Sequence, residues 1–471
     1  MDNKKKKAFA ALIIVLAVAA SVAASFAVFN ETSRPEEFNS FVGVAYCGDS
    51  VAGGKLLIDK VSGYTNLFVL QSGTLQRSLD SVEQLGDYAV NKGLYFLPYF
   101  GAYIPPSFSM WLENVTQKWG TRFLGVYYDD ERGGRMLDDN VDLGTDAATG
   151  NSIMKTKYGD VKVEQPNGVV IHYEINGHIN VLEPANSSNN MIINRTEITD
   201  VYATFYPNGT INVDKFDDSA TSNDQSFNWS TTVAYSDLTK ARPLKNADEI
   251  AERFYANNRN NIQYLSNLTK IFTSDYALYW FDYSAGYDVV LTQIGWNISL
   301  PQQIASVRGA ASLQNKEWGA VISWKYDTPP YLDNGTEIFS QMQAAYENGA
   351  KYIVLFDYYG SGENLYGTLK DEHFSALKDF WNQVIKNPNI IKGSVKADTV
   401  LVLPKNYGCG LRWEEDKIWG VLKPNENSTQ IWNILQKTLA KTSFNLDIVY
   451  DDSEFPLTGK YQQIITWNQT G

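Results

Sequence analysis

Between Phe38 and about Asn387, short β-rich runs alternate with amphipathic helical stretches, and this rhythm constrains the fold more than any other feature of the chain. Antiparallel strands can be joined by two residues, whereas parallel neighbours need a crossover long enough to hold a helix. A sustained strand–helix repeat therefore reads as parallel β/α architecture. The expected strands are Phe41–Tyr46, Asn66–Leu70, Leu94–Tyr99, Phe123–Tyr128, Ile271–Ser274, Asp288–Ile294, Ala320–Trp324 and Tyr352–Phe356. The helix after the second strand carries Leu79, Val82, Leu85 and Ala89 on one face and stops at Gly93. Pro301 opens the helix after the sixth, and Asn246 with Glu249 forms the capping signal of the helix that leads to the fifth. Eight such units in order predict an α/β fold, a (β/α)8 TIM-type barrel over residues 38–392.

The rhythm breaks once. Residues 138–245 carry strand patterns without helices, joined by Pro166-Asn167-Gly168, Asn176-Gly177 and Pro207-Asn208-Gly209. Asn-Gly between alternating runs such as Val169–Ile175 and His178–Leu182 is a hairpin signal, so a β-rich insertion after the fourth strand is expected. Beyond the barrel, residues 396–471 hold the strand patterns Thr399–Leu403, Leu446–Tyr450 and Gln463–Thr466 and a helix over Thr429–Ala440. At the other end, Lys4 to Lys7 precede an uncharged, largely apolar stretch from Ala8 to Phe29. Residues 1–29 have the form of a cleaved signal peptide or of a retained N-terminal membrane anchor, since about 20 apolar residues span a bilayer. Either places the body of the protein outside the cytoplasm, secreted or tethered through residues 8–29. An excess of Asn-x-Ser/Thr sequons agrees with a glycosylated, extracellular surface.

In a (β/α)8 barrel the carboxyl ends of the strands converge on one face, where active sites are built. Read in order, the ends here are Gly48-Asp49, Gln71, Tyr99, Asp129-Asp130-Glu131, Asp275-Tyr276, Trp296-Asn297, Trp324-Lys325-Tyr326-Asp327 and Asp357-Tyr358. Carboxylates and aromatic rings dominate. That mixture suits glycosidic bond cleavage, in which one carboxyl protonates the leaving oxygen and a second acts as nucleophile or base, while Trp and Tyr faces stack on sugar rings. Glu131 is the expected general acid, because Asp129 and Asp130 crowd it and should hold its proton to higher pH. Asp130, Asp275, Asp327 and Asp357 are the remaining catalytic candidates, and the last three compete for the second carboxylate. Asp49, Tyr99, Trp296, Asn297, Trp324 and Tyr326 are expected to bind substrate. Asn297 is also a sequon, so a glycan there would obstruct the mouth.

The segments Phe123-Leu124-Gly125-Val126-Tyr127-Tyr128-Asp129-Asp130-Glu131 and Trp318-Gly319-Ala320-Val321-Ile322-Ser323-Trp324 resemble those of barrel glycoside hydrolases and are similar to a group of archaeal surface proteins with such barrels. The resemblance implies an Asn-Glu pair ending the fourth strand and a Glu ending the seventh. Glu131 fills the first Glu position, Asp130 stands in place of the Asn, and Asp327 is what the seventh strand offers. Residues 396–471 resemble an abbreviated flavodoxin-like domain of the kind that follows the barrel in some β-galactosidases.

Composition narrows the alternatives. A formal net charge of −13 argues against nucleic acid as a partner. Three histidines make a His-rich zinc site or a Ser-His-Asp triad improbable, and no metal or cofactor is expected. Cys47 and Cys409 are too few for a disulfide scaffold. Two function classes remain: a carbohydrate-active enzyme, and a non-catalytic surface glycoprotein that keeps a sugar-binding or structural barrel.

Overall fold

The computed structural model describes residues 40–101, 104–105, 107–138, the strands within 140–234, and residues 246–296, 298–326, 328–358, 365–420, 422–457 and 459–468. Eight parallel strands close on themselves: β1 (Phe41–Tyr46), β2 (Leu67–Leu70), β3 (Tyr95–Phe100), β4 (Val126–Tyr128), β5 (Ile271–Asp275), β6 (Val289–Ile294), β7 (Glu317–Ile322) and β8 (Tyr352–Phe356). Closure is direct, because β1 pairs with β2 at Gly43↔Leu67 and with β8 at Phe41↔Tyr352. Between them run α1 (Val51–Val61), α2 (Leu79–Asn91), α3 (Phe108–Trp119), α4 (Arg132–Asp138), α5 (Ala247–Ser266), α6 (Tyr279–Ala285), α7 (Leu300–Leu313), α8 (Gly335–Glu347) and α9 (Asp371–Phe380). The strand–helix rhythm is therefore that of a TIM-type barrel.

Strand alternation fills the interior. Ala45, Leu67, Val69, Leu97, Tyr127, Phe272, Leu291, Val321 and Val354 are buried and belong to one core cluster at the barrel centre, as expected where every second side chain points inward. Two strands depart from the pattern-based expectation by more than one residue. The fourth strand begins at Val126 instead of Phe123, because Gly125 (φ +129°) brings the chain so close to its neighbour that a Cβ there would lie 2.2 Å from Lys270 O. The seventh runs from Glu317 to Ile322, earlier than expected. Its start is pinned by Glu317, which binds Lys270 at 2.5 Å and Tyr352 Oη at 3.0 Å and also pairs with Lys351. The short helix α4 is not among the expected elements; it includes Gly133 and Gly134.

Within residues 140–234 the described strands are antiparallel. Six, from Asn140–Thr145 to Asn194–Ile198, follow one another in a meander, and Val201–Phe205, Thr210–Lys215 and Thr231–Ala234 form a second sheet. The two strands on either side of Asn176-Gly177 pair with each other, with Val170 opposite Leu182 and Tyr173 opposite Ile179.

After the barrel, β9 (Thr399–Leu403), α10 (Glu426–Thr442), β10 (Leu446–Tyr450) and β11 (Gln463–Thr466) make a three-stranded parallel sheet in the order β10-β9-β11. It packs against α7. The buried Arg308 of α7 donates to Asp447 Oδ1 at 2.8 Å, to Phe444 O at 2.7 Å and to Leu446 O at 2.9 Å, so a guanidinium taken out of water finds a carboxylate and carbonyls from β10 and the turn before it. Among the described residues no helix is long and apolar enough to cross a membrane; residues 1–29 lie outside that set.

Candidate active site

The carboxyl end of β4 supplies the acids. Two of its residues depart from ordinary backbone geometry: Asp129 (φ 45°) and Glu131 (φ 58°) are both left-handed, a conformation that costs a non-glycine residue about 1 kcal/mol or more and is kept where the surroundings fix it. Here those surroundings are hydrogen bonds from neighbouring strands. Asp129 N donates to Phe100 O at 2.9 Å, and Glu131 N donates to Ser274 O at 2.7 Å. The result is that three consecutive carboxylates point three ways.

Asp129 is buried and carries two arginines, Arg132 and Arg135, the latter at 2.6 Å. It is a structural anion. Asp130 turns toward β2 and β3, where Tyr99 Oη donates to its Oδ1 at 3.1 Å and Gln71 Nε2 to its Oδ2 at 3.2 Å. Glu131 turns toward β6, where Gln293 Nε2 donates to its Oε1 at 2.8 Å. Burial first, and then the neighbouring charge of Asp130, push the Glu131 carboxyl up to about 7. Asp130 is also raised, by burial and by the charge of Asp129, while Arg135, 4.0 Å away, and the Tyr99 hydroxyl favour its charged form. With two donors and a cation around Asp130 against one neutral donor on Glu131, the proton of this pair resides on Glu131.

Beneath the two acids runs a relay of neutral side chains that sequence reading did not single out. Tyr127 Oη donates to Ser274 Oγ at 2.6 Å, and Gln293 Nε2 donates to the same oxygen at 2.9 Å. Gln71 Nε2 reaches Tyr127 Oη at 3.2 Å. The strands β2, β4, β5 and β6 are thereby cross-linked just under the carboxylates. Strand alternation does place these residues inward, which was the available signal.

Asp275, one of the expected catalytic candidates, is surrounded by backbone donors. Its Oδ2 accepts Gly133 N at 2.6 Å, and its Oδ1 accepts Gly134 N at 2.8 Å, Tyr276 N at 2.7 Å and Ala277 N at 3.0 Å. A fully buried carboxylate with four backbone donors is a structural anchor, and it holds the first turn of α4. Facing it is Asp282, also fully buried, neither oxygen of which meets a donor among the described residues. Burial, and next the charge of Asp275, raise Asp282 well above the ordinary carboxyl range. The four N–H groups oppose the same burial effect at Asp275, so Asp282 keeps the proton of that pair.

Asp357, at the end of β8, has no solvent exposure and no well-formed hydrogen bond among the described residues; burial lifts it to about 7, against the pull of the nearby Thr368 backbone. It is closed over by Gly367 (φ +60°), where a Cβ would fall 1.8 Å from Asp357 Oδ1. Burial, then the charges of Asp357 and Asp130, push the Cys47 thiol well above its usual value. Cys409 is buried and pushed up to about 12, chiefly by desolvation. Both thiols are free, and both should resist iodoacetamide in the native protein at pH 8 and react at once in denaturant. Rapid native alkylation of Cys47, read by mass spectrometry, would contradict this placement.

Of the expected binding residues, Tyr99 is at the centre and Asp49 is exposed just before Ser50, the residue whose side chain caps α1. Trp296, Trp324 and Tyr326 stand on the rim after β6 and β7, with Trp296 37% and Tyr326 40% exposed. Trp296 Nε1 donates to Gln293 Oε1 at 3.4 Å, which ties the rim to Glu131. Asp327 and Asn297 lie outside the described residues. Among the described residues, no cluster of His, Cys, Asp and Glu has the form of a metal site.

No protein-family profile matches this chain, and neither does any curated protein. Among solved structures, it is similar to GH5_18 from Streptomyces cattleya in complex with GlcNAc, at 9% identity and a TM-score of 0.43, over 91% of this chain and 98% of that one. It is also similar to PbGH5A, a glycoside hydrolase family 5 enzyme from Prevotella bryantii B14 in complex with a xyloglucan tetradecasaccharide, at 7% identity and a TM-score of 0.29, over 73% and 97% of the two chains. An O-GlcNAc hydrolase from Thermobaculum terrenum matches at 8% identity and a TM-score of 0.27, over 87% and 73%. Likenesses this distant carry no residue role across, and the chemistry of the site rests on this chain's own side chains.

Proposed function

We propose that this chain is an extracytoplasmic glycoside hydrolase in which Glu131 is the proton donor and Asp130 the charged partner. The observation that carries the reading is the divergence of two adjacent carboxyl groups at the mouth of the barrel. Burial and its neighbour push Glu131 up to about 7, while Arg135, Tyr99 and Gln71 favour the charged form of Asp130 against its own burial. Acid and base roles on one fold follow from environments that push two carboxyls apart in this way. In the proposed reaction the glycosidic C–O bond breaks as the Glu131 proton passes to the leaving oxygen. Water adds its hydroxyl to the anomeric carbon, and the proton it gives up is taken by a carboxylate, for which Asp130 is the best-placed charged group. Export rests on residues 1–29, and the sequons fit a glycosylated surface location.

The test is a screen of the purified protein against aryl glycosides and polysaccharides, run beside Glu131→Gln. Cleavage is expected in the parent, with a loss of about 10³-fold in the variant. Glycan binding without cleavage in either protein would favour the non-catalytic sugar-binding reading instead.

A further inference from the structure

We infer that the ligand of this mouth is an extended glycan chain bound on both sides of Glu131, and that the loop before α10 in the C-terminal unit builds one end of its platform. This deepens the hydrolase reading and rests on it only for the cleavage step. The argument starts from Arg412. Its guanidinium is almost wholly buried, paired with Asp416 through Nε (2.9 Å) and Nη2 (2.7 Å), and its Nη1 donates to Asp138 Oδ1 at 2.7 Å. Asp138 ends α4, and its other oxygen accepts Tyr276 Oη at 2.8 Å. A residue of the C-terminal unit is thus bolted to the rim beside β4 and β5.

Arg412 also lies over two rings, 4.3 Å from the centroid of Trp413 and 5.9 Å from that of Tyr276. Trp413 is 51% exposed, more than Trp296, Tyr326 or Tyr358, and leaves a large aromatic surface in water. From Tyr276 the aromatic line continues without a gap. Its ring centroid is 6.4 Å from Trp296, Trp296 is 6.1 Å from Trp324, and Trp324 is 4.4 Å from Tyr358, which is 40% exposed. These residues follow the carboxyl ends of β5, β6, β7 and β8 in turn, so the line tracks the rim.

Glu131 joins this line near its middle, through Gln293 to Trp296. Rings therefore extend from the proton donor in two directions: to Tyr276 and Trp413 on one side, to Trp324 and Tyr358 on the other. A single sugar would occupy one or two of these faces. A chain of sugars, each presenting an apolar face to a ring, accounts for the whole line and sets an internal bond of the chain beside Glu131.

Binding of di- to octasaccharides from cellulose, xylan, mannan, chitin and β-1,3-glucan to the full-length Glu131→Gln protein, followed by calorimetry and by quenching of tryptophan fluorescence, tests this. Affinity for one series should climb with each added sugar beyond the disaccharide. Trp413→Ala should weaken the longest member by about 10-fold, with a deficit that shrinks as the chain shortens, and Trp413→Phe should recover most of it. The parent should release internal fragments before monosaccharides. Affinity that stops rising at the disaccharide, in a protein whose parent still cleaves aryl glycosides through Glu131, overturns the extended platform and leaves the hydrolase reading standing. Length-dependent binding with no cleavage supports the platform and sinks the hydrolase. Absence of binding across all five series overturns the platform.

Discussion

The Glu131→Gln protein is expected to melt at a higher temperature than its parent at pH 8 and at the same temperature at pH 4. The sign follows from the direction of the shift. Burial and Asp130 raise the folded-state value of Glu131 from 4.5 to about 7. Below the unfolded value both states hold the proton, and the group contributes nothing to the pH dependence. Between the two values the unfolded chain releases a proton that the folded one keeps, so stability falls as pH rises. Above about 7 the folded state carries a buried charge beside Asp130, at a cost on the order of 3 kcal/mol. Glutamine keeps an oxygen for the Gln293 N–H and removes that cost. Cleavage should follow the same titration from the other side: a general acid must be protonated, so the rate falls about tenfold per pH unit above that value. Equal melting temperatures of parent and variant at pH 8 would show that Glu131 is not held neutral, and the assignment of the proton donor would go with it.

Asp275→Ala should be the most destabilising single change at the mouth, at about 4 kcal/mol, because it strands the backbone N–H groups of Gly133, Gly134, Tyr276 and Ala277 at once. Since those four amides fix the start of α4 and the turn after β5, the change should also disorder the Glu131 backbone and remove activity. Asp275→Asn, which retains one carbonyl oxygen for the three donors on Oδ1, should cost less than half as much. Urea denaturation of the two variants separates these expectations; similar small losses in both would mean that the carboxylate is not the anchor of this turn.

The barrel was legible in the sequence because its strands are short, apolar and separated by helices with clear stop and start residues such as Gly93, Asn246 and Pro301. Strand β1 falls on its expected residues, and the Asn246 side chain does accept Glu249 N, at 2.9 Å. The location of the acids was legible for the same reason, since the end of a strand is a position in a pattern. Their division of labour was not. Asp275 looks like any carboxylate at a strand end, and only the return of Gly133 and Gly134, some 140 positions earlier, reveals it as a cap. Gln293 and Ser274 carry no charge and read as ordinary inward positions of β-strands, although they aim Glu131. The contact of Arg412 with Asp138 spans 274 residues, and no local period or motif announces a pairing of that range.

Arg308 gives the chain a property that neither the barrel nor the small sheet has alone. Its guanidinium is solvated entirely by protein: Asn348 from the barrel on one side, Asp447 and the carbonyls of Phe444 and Leu446 on the other. A fragment ending near Lys392 would leave Arg308 with Asn348 but without its carboxylate and carbonyl partners, and a fragment beginning there would present Asp447 without its counter-charge. The two parts thus complete each other's solvation, and a partial chain is handicapped before any question of catalysis arises.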